Sequence, residues 1–363
     1  MAKPPAFFYA NRIPPWLRLL LFPLVFPSAL YSLFMRWRAR RWLSASDRRP
    51  ANAVPVIGVG NLTVGGTGKT PISMYLAERL RSAGRRPAIV TRGYRGTLEG
   101  SEAVVRGPED DAPRLEARDA GDEAFMMASR LAGVPVVIGA RRPEAVALAA
   151  RECGADVVIC DDAFQHLRLR RDLDVLCVNG ELGFGNGLTL PFGPLREPLS
   201  AASRAHLVLV NNDGSERAEI ESALRDAGCT APVVRWHYRA ECFIPLESEQ
   251  PIPLSDLKGG AVHALAATAA PERFFRFLMG LGLDVVATTA RDDHHTWHAG
   301  DFRGPARIVE PRPFDYHVAT EKDAAKLRGL SVPDGKPVLI LRVEPEFTEE
   351  DSALIGRLLE ESL

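Results

Sequence analysis

The feature that most constrains how this chain folds is a glycine-rich turn caught between a buried strand and a helix. Residues 54–60 read VPVIGVG, an unbroken apolar run, and NLTVGGTGKT follows at 61–70 before a helical pattern begins. Such a turn lets backbone N–H groups close around phosphates at a helix N-terminus, where the peptide dipoles add a positive field. Lys69 is spaced to reach the β- and γ-phosphates, and the Thr70 hydroxyl to ligate Mg²⁺. Thr63, Val64, Gly65, Gly66, Thr67, Gly68, Lys69 and Thr70 are therefore expected to hold a nucleoside triphosphate. Thr63 stands where the usual pattern begins with glycine, and Gly65 and Gly66 supply flexibility inside the loop. Pro71 suits the first helical turn, where its missing N–H forfeits no bond.

The surrounding sequence supplies the sheet that such a loop needs. Apolar runs at 54–60, 87–91, 135–139, 156–160, 174–178 and 206–210 alternate with helical stretches at 71–83, 121–132, 142–152 and 216–227. Short β-branched runs joined by helices predict a mostly parallel, P-loop NTPase-type α/β sheet flanked by helices. A smaller α/β set follows, with strands at 261–266, 284–288, 317–320 and 337–343 and a helix after Pro271. The expected divisions are a segment 1–50, a P-loop domain 51–235 and a C-terminal domain 236–363, with 97–118 read as a polar loop. Five cysteines, an odd number without any CxxC, exclude a disulfide framework and fit a reducing compartment.

Charge is distributed unevenly. The first fifty residues carry nine basic side chains against one acid, a net of +8, while the other 313 carry −9. Within that basic head, Leu19 to Met35 is uncharged, flanked by Arg18 and by RWRARRW. A span of the bilayer needs about 20 apolar residues, and Pro23 and Pro27 would interrupt a helix. Arginine on both flanks gives no one-sided orientation signal, and no small-residue cleavage site closes the run. The expectation is a helix lying in the membrane interface, with Trp16, Trp37 and Trp42 at headgroup depth and arginines on anionic phosphates. A buried core helix is the alternative.

Acids gather at a second strand end. In Asp156-Val-Val-Ile-Cys-Asp161-Asp162, four apolar residues carry two carboxylates to the carboxyl edge of the sheet. Ligands collect at that edge, and one carboxylate there has the form of a Walker B metal ligand. Asp162 as a helix cap is the structural alternative. Taken singly, the other polar clusters have bland readings: GDE (121–123) as the acidic first turn of a helix, LREP (195–198) as a surface ion pair. TEKD (320–323) has its lysine one place late for a guanine-reading motif.

Together these clusters form a series. GNLTVGGTGKTP, TRGYRG (91–96), GDE, DDAFQH (161–166), GPLREP (193–198), DDHH (292–295) and ATEKDAAKL (319–327) occur in this order. On these motifs the sequence resembles the tetraacyldisaccharide 4'-kinases, the lipid A 4'-kinases of Gram-negative bacteria, over nearly its whole length. It departs from the family pattern at Ala163, where DDGFQH is usual, and at Arg95, where TRGYG is usual. The first departure matters only if the backbone there needs a positive φ.

The resemblance implies transfer of the γ-phosphoryl group of ATP to the 4'-hydroxyl of a tetraacylated disaccharide 1-phosphate, giving lipid IVA. It implies ATP and Mg²⁺ as ligands, a lipid A precursor as substrate, and a place on the cytoplasmic face of the inner membrane. Neither a nucleic acid nor an obligate protein partner is expected. By the same resemblance Asp122 is the general base, paired with His294 from the second domain, which implies closure of the domains on substrate. Lys69 compensates transition-state charge, Asp162 orients the acceptor or the metal's water, and Thr70, Asp161 and Glu197 ligate the metal. The competing reading is a membrane-associated P-loop ATPase or GTPase of partition or metallochaperone type, with water as acceptor.

Overall fold

Strands buried on both faces require a parallel sheet covered by helices, and that is what the apolar runs form. The computed structural model describes Phe8 and residues 22–44, 52–211, 218–248, 250–268, 270–293, 295–302, 307–310 and 312–363. Its contacts divide the chain into two units. One is Tyr238–Glu344, and the other is the described part of Pro4–His237 together with Pro345–Leu363. The last stretch, grouped with the C-terminal domain in the sequence reading, thus packs with the phosphate-loop unit.

That unit begins with α1 (Val25–Leu43), β1 (Val56–Gly60), α2 (Lys69–Ser82), β2 (Pro87–Thr91), β3 (Ala103–Arg106), α3 (Ala117–Ala120) and α4 (Asp122–Arg130). It continues through β4 (Val136–Ile138), α5 (Arg142–Cys153), β5 (Val157–Cys160), β6 (Leu173–Asn179), β7 (Leu207–Asn211), α6 (Ala218–Asp226) and the start of β8 (Val233–Pro245). Strand order is β8-β7-β6-β1-β5-β2-β4-β3, parallel except for the antiparallel edge strand β3. β1 lies between β5 and β6, with Ile57 opposite both Ile159 and Leu173. Its C-terminal end therefore opens among the central strands of the carboxyl edge, where ligands collect. α2 turns Ile72, Leu76, Ala77 and Leu80 into the core, and full burial of Ile72 or Leu76 contributes roughly 1.5–3 kcal/mol.

The other unit contains β9 (Ala261–Ala267), α7 (Pro271–Gly280), β10 (Asp284–Arg291), β11 (Arg307–Ile308), β12 (Tyr316–Thr320), α8 (Glu321–Leu327) and most of β13 (Val338–Glu346). Its strands run in the order β11-β10-β9-β12-β13, parallel except for β11. Val262, Ala264, Phe275, Leu278, Val318 and Leu339 form its core. The final helix, α9 (Glu349–Ser362), belongs to the phosphate-loop unit, where Arg79 of α2 donates to the Ser352 hydroxyl at 2.9 Å and carbonyl at 2.8 Å.

Three local expectations change. The 97–118 loop contains an edge strand, β3, whose Val105 and Arg106 are buried. The boundary expected at residue 235 falls inside β8, a strand of 13 residues with alternating exposed and buried positions through its first half. The N-terminal prolines do not break a helix. Pro23 lies in the short 3₁₀ turn before α1, and Pro27 is the third residue of α1, where no i−4 partner is lost. The helix instead runs on through the arginine cluster to Leu43. Among the described residues no helix is long and apolar enough to cross a membrane. Trp16 lies outside them. All five cysteines are buried and free.

Candidate active site

The phosphate loop leaves β1 at Gly60 and enters α2 at Lys69. Gly68, at φ +79°, takes the left-handed turn that starts the helix. The loop is fixed by its own first residue and by two side chains from outside. Asn61 Nδ2 donates to Thr67 Oγ1 at 3.0 Å, bracing the loop across its width. Asn179, at the end of β6, donates to the Gly66 carbonyl at 3.1 Å, and Gln165 donates to the Asn61 carbonyl at 2.9 Å. The arm 193–198 pairs with the loop as a short antiparallel bridge between Thr63 and Leu195. Val64 N–H donates to the Pro194 carbonyl at 2.9 Å, and Arg196 N–H to the Leu62 carbonyl at 2.7 Å. Val64, expected to help hold phosphate, thus commits its N–H to fixing the loop.

Around the loop mouth the carboxylates meet their partners. Asp162 stands in the left-handed region at φ +50°. It accepts from Arg196 Nη1 at 3.0 and 3.2 Å and sits 3.5 Å from Lys69 Nζ. Burial pushes its carboxyl up, but Lys69 and Arg196 outweigh that and hold it well below the usual carboxylate range. Asp161 has the opposite environment. It is buried, one oxygen accepts from Ser73 Oγ at 2.9 Å, and its backbone carbonyl accepts from the buried Arg142 at 3.0 Å. Burial, and then the charge of Glu123, push its carboxyl up to about 6 in spite of Lys69. A buried oxygen acid that is costly to ionise fits a hard divalent cation, whose charge would offset that cost. Thr70, second residue of α2, is the oxygen donor that the loop adds.

The TRGYRG and GDE motifs pack backbone against backbone. A side chain on Gly96 would collide with the Asp119 carbonyl, and one on Gly121 (φ +87°) would meet the Tyr94 carbonyl at 2.6 Å. This close approach starts α4 at Asp122, where a carboxylate is favoured by the helix N-terminus. Glu123 is near enough for its charge to reach Asp161. Of the two departures, Arg95 takes a left-handed φ of +64°, while Ala163 does not. The Ala163 methyl is buried in the core beside β5.

Glu197 is buried, and each of its oxygens accepts from Arg204, at 2.9 and 3.0 Å. Arg204 also lies over the Phe164 ring, 4.6 Å from its centroid. Glu197 is therefore an ion-pair partner first, and an ion on it would use its remaining lone pairs. His294 lies outside the described residues. Its flanking segment, in the other unit, is tied down on both sides. Lys322 reaches Asp293 at 2.8 Å, Asp301 accepts from His295 at 3.0 Å, and Trp297 Nε1 donates to the buried Asp323 at 2.9 Å. The ATEKD motif thus anchors Asp293 and Trp297.

Lys69, Asp161 and Asp162 thus gather with Ser73 and Arg196 at the mouth of the loop. Sequence reasoning missed Asn61, Ser73, Arg142, Gln165, Asn179 and Arg196. Arg196 and Gln165 lie inside motifs already singled out, and Asn61 directly follows β1. Those positions were the available signal.

Comparison with known proteins identifies relatives. A family model described as "Tetraacyldisaccharide-1-P 4'-kinase" matches residues 17–362. Tetraacyldisaccharide 4'-kinase of Pelobacter propionicus is 41% identical over 331 residues, covering 90% of this chain and 89% of the relative. The enzyme of the same name from Halorhodospira halophila is 38% identical over 322 residues, covering 88% of this chain and 87% of the relative. The crystal structure of LpxK from Aquifex aeolicus in complex with ATP superposes with a TM-score of 0.75 at 27% identity, covering 95% of this chain and 99% of that one.

Proposed function

The chain belongs to the tetraacyldisaccharide-1-phosphate 4'-kinase family, and from that premise we propose how its residues carry out the transfer. The reaction moves the γ-phosphoryl group of ATP to the 4'-hydroxyl of tetraacyldisaccharide 1-phosphate, giving lipid IVA in lipid A biosynthesis. The observation that carries the residue assignment is the cluster of Lys69, Asp161, Asp162 and Arg196 at the mouth of the phosphate loop.

The loop N–H groups not spent on the arm, with those at the start of α2, hold the phosphates. Lys69 compensates the charge that develops on the transferring group. Asp162, held ionised by Lys69 and Arg196, fixes the ammonium so that it points into the loop. A bound Mg²⁺ would neutralise phosphate charge, with Thr70, Asp161 and Glu197 as its protein ligands. Asp122 takes the proton of the incoming 4'-hydroxyl, and His294 is assigned to the same step.

The substrate is a lipid, and α1 is suited to meet it at a bilayer. Phe22 just before it, and Phe26, Leu30, Leu33, Phe34 and Trp37 along it, are exposed. Arg36, Arg40 and Arg41 are also exposed. This is the composition of a helix lying in an anionic interface, at the cytoplasmic face of the inner membrane. The assignment is tested by Asp122→Ala and His294→Ala. Each is expected to lower kcat while the Kd for ATP stays within about twofold of wild type. Loss of ATP affinity equal to the loss of rate would overturn the roles.

A further inference from the structure

The buried side of α1 has a regular pattern that attachment to a membrane does not require. Ser28, Tyr31, Met35, Arg38 and Trp42 recur at spacings of three and four residues, one stripe along the helix. Two members of the stripe, Tyr31 and Arg38, grip segments that themselves hold the phosphate loop, and the others fasten neighbouring chain. Ser28 Oγ donates to the Thr189 carbonyl at 2.8 Å, and Thr189 Oγ1 donates back to the Ser28 carbonyl at 2.9 Å. Thr189 in turn bridges Leu195 of the arm. Tyr31 OH donates to the Arg196 carbonyl at 2.8 Å. Arg38 Nη2 donates to the Gln165 carbonyl at 3.0 Å. Trp42 lies under Arg168, 4.9 Å from its Cζ to the ring centroid.

The two middle contacts are each one residue removed from the loop. Arg196 sends its N–H to Leu62 and its guanidinium to Asp162, beside Lys69. Gln165 sends its side chain to the Asn61 carbonyl, at the root of the loop. The same helix turns Phe26, Leu30, Leu33 and Trp37 to solvent. We propose that Tyr31 and Arg38 are positioning residues for phosphoryl transfer: they fasten α1 to the Arg196 arm and the Gln165 turn, so that the lipid-facing helix sets the geometry of the nucleotide loop. The proposal rests on the kinase reading given above and adds residues whose hydrogen bonds run to the arm and the turn behind the loop.

The test uses the full-length enzyme with Tyr31→Phe, Arg38→Ala, Arg38→Lys and Phe26→Ser, the last on the opposite face of the helix. Three readouts are taken: Kd for a fluorescent ATP analogue, transfer of ³²P to lipid in detergent micelles, and sedimentation with anionic phospholipid vesicles. Tyr31→Phe and Arg38→Ala are expected to weaken ATP binding by about three- to tenfold, the size of one or two lost hydrogen bonds. They lower transfer with it and leave vesicle binding unchanged, and Arg38→Lys recovers part of the loss. Phe26→Ser is expected to reduce vesicle binding with ATP affinity unchanged. Thermal melts accompany each variant. ATP affinity within twofold of wild type in both Tyr31→Phe and Arg38→Ala overturns the proposal. So does a rate loss matched by a fall in Tm at constant Kd, or an equal change of ATP affinity in Phe26→Ser. If wild-type enzyme transfers no label to lipid, the kinase reading fails, while the ATP Kd series still decides the coupling.

Discussion

Asp161 is kept for function at a cost in stability, and Asp161→Asn makes that cost measurable. Its carboxyl is raised from 3.8 to about 6 in the folded chain, first by burial and then by Glu123. An acid with a raised folded value binds its proton more tightly folded than unfolded, so stability falls as pH rises between the two values and levels off above 6. The full penalty of ionising it is about 3 kcal/mol at pH 7.5, and about half of that at pH 5. Asparagine keeps the shape and still accepts from Ser73 Oγ, but its amide N–H₂ brings donors that cost about 1–2 kcal/mol if unpaired. The variant without nucleotide is therefore expected to be more stable than wild type by roughly 1–2 kcal/mol at pH 7.5. Its advantage disappears near pH 5, and it has no kinase activity. Chemical denaturation at the two pH values, with activity measured on the same samples, decides it. A variant less stable than wild type at pH 7.5, or an advantage that does not shrink on acidification, refutes the reasoning.

Arg204→Ala leaves the Glu197 carboxylate buried without its bidentate partner, and should cost about 3–5 kcal/mol in urea unfolding. Glu197→Gln with Arg204→Ala should recover part of that loss. Arg95→Gly removes a left-handed non-glycine residue and should raise stability by up to about 1 kcal/mol, read as a higher Tm with unchanged kcat. Lys69→Ala should abolish transfer, and Asp162→Asn should impair it by loosening the Lys69 ammonium, both read by ³²P transfer.

The parallel core was legible because strands buried on both faces leave unbroken apolar runs, as in β1 and β5. The phosphate loop was legible because few other uses combine those glycines with Lys69 and Thr70 between a strand and a helix. β8 is harder to read, because its first half, Val233-Val-Arg-Trp-His-Tyr-Arg, carries charged residues on one face instead of forming the unbroken apolar run of the central strands. The N-terminal helix was legible in its apolar, arginine-flanked composition, but its start was not, because Pro23 and Pro27 stand on either side of it and the first helical turn tolerates a proline. The carboxylates of the site stood out in sequence, but their partners did not. Arg196 meets Asp162 from 34 residues away and Ser73 meets Asp161 from 88, distances that only the sheet topology closes. The opposite electrostatics of the adjacent Asp161 and Asp162 arise from those partners and from burial, and no spacing rule contains them.

The central claim is that this loop serves phosphoryl transfer to a lipid sugar. The direct measurement follows ³²P from γ-labelled ATP, with purified tetraacyldisaccharide 1-phosphate in detergent micelles and a control without lipid. The account predicts label in a lipid product, dependent on Mg²⁺ and lost in Lys69→Ala. Label released only as free phosphate, at the same rate with and without lipid, would contradict it and leave a P-loop ATPase.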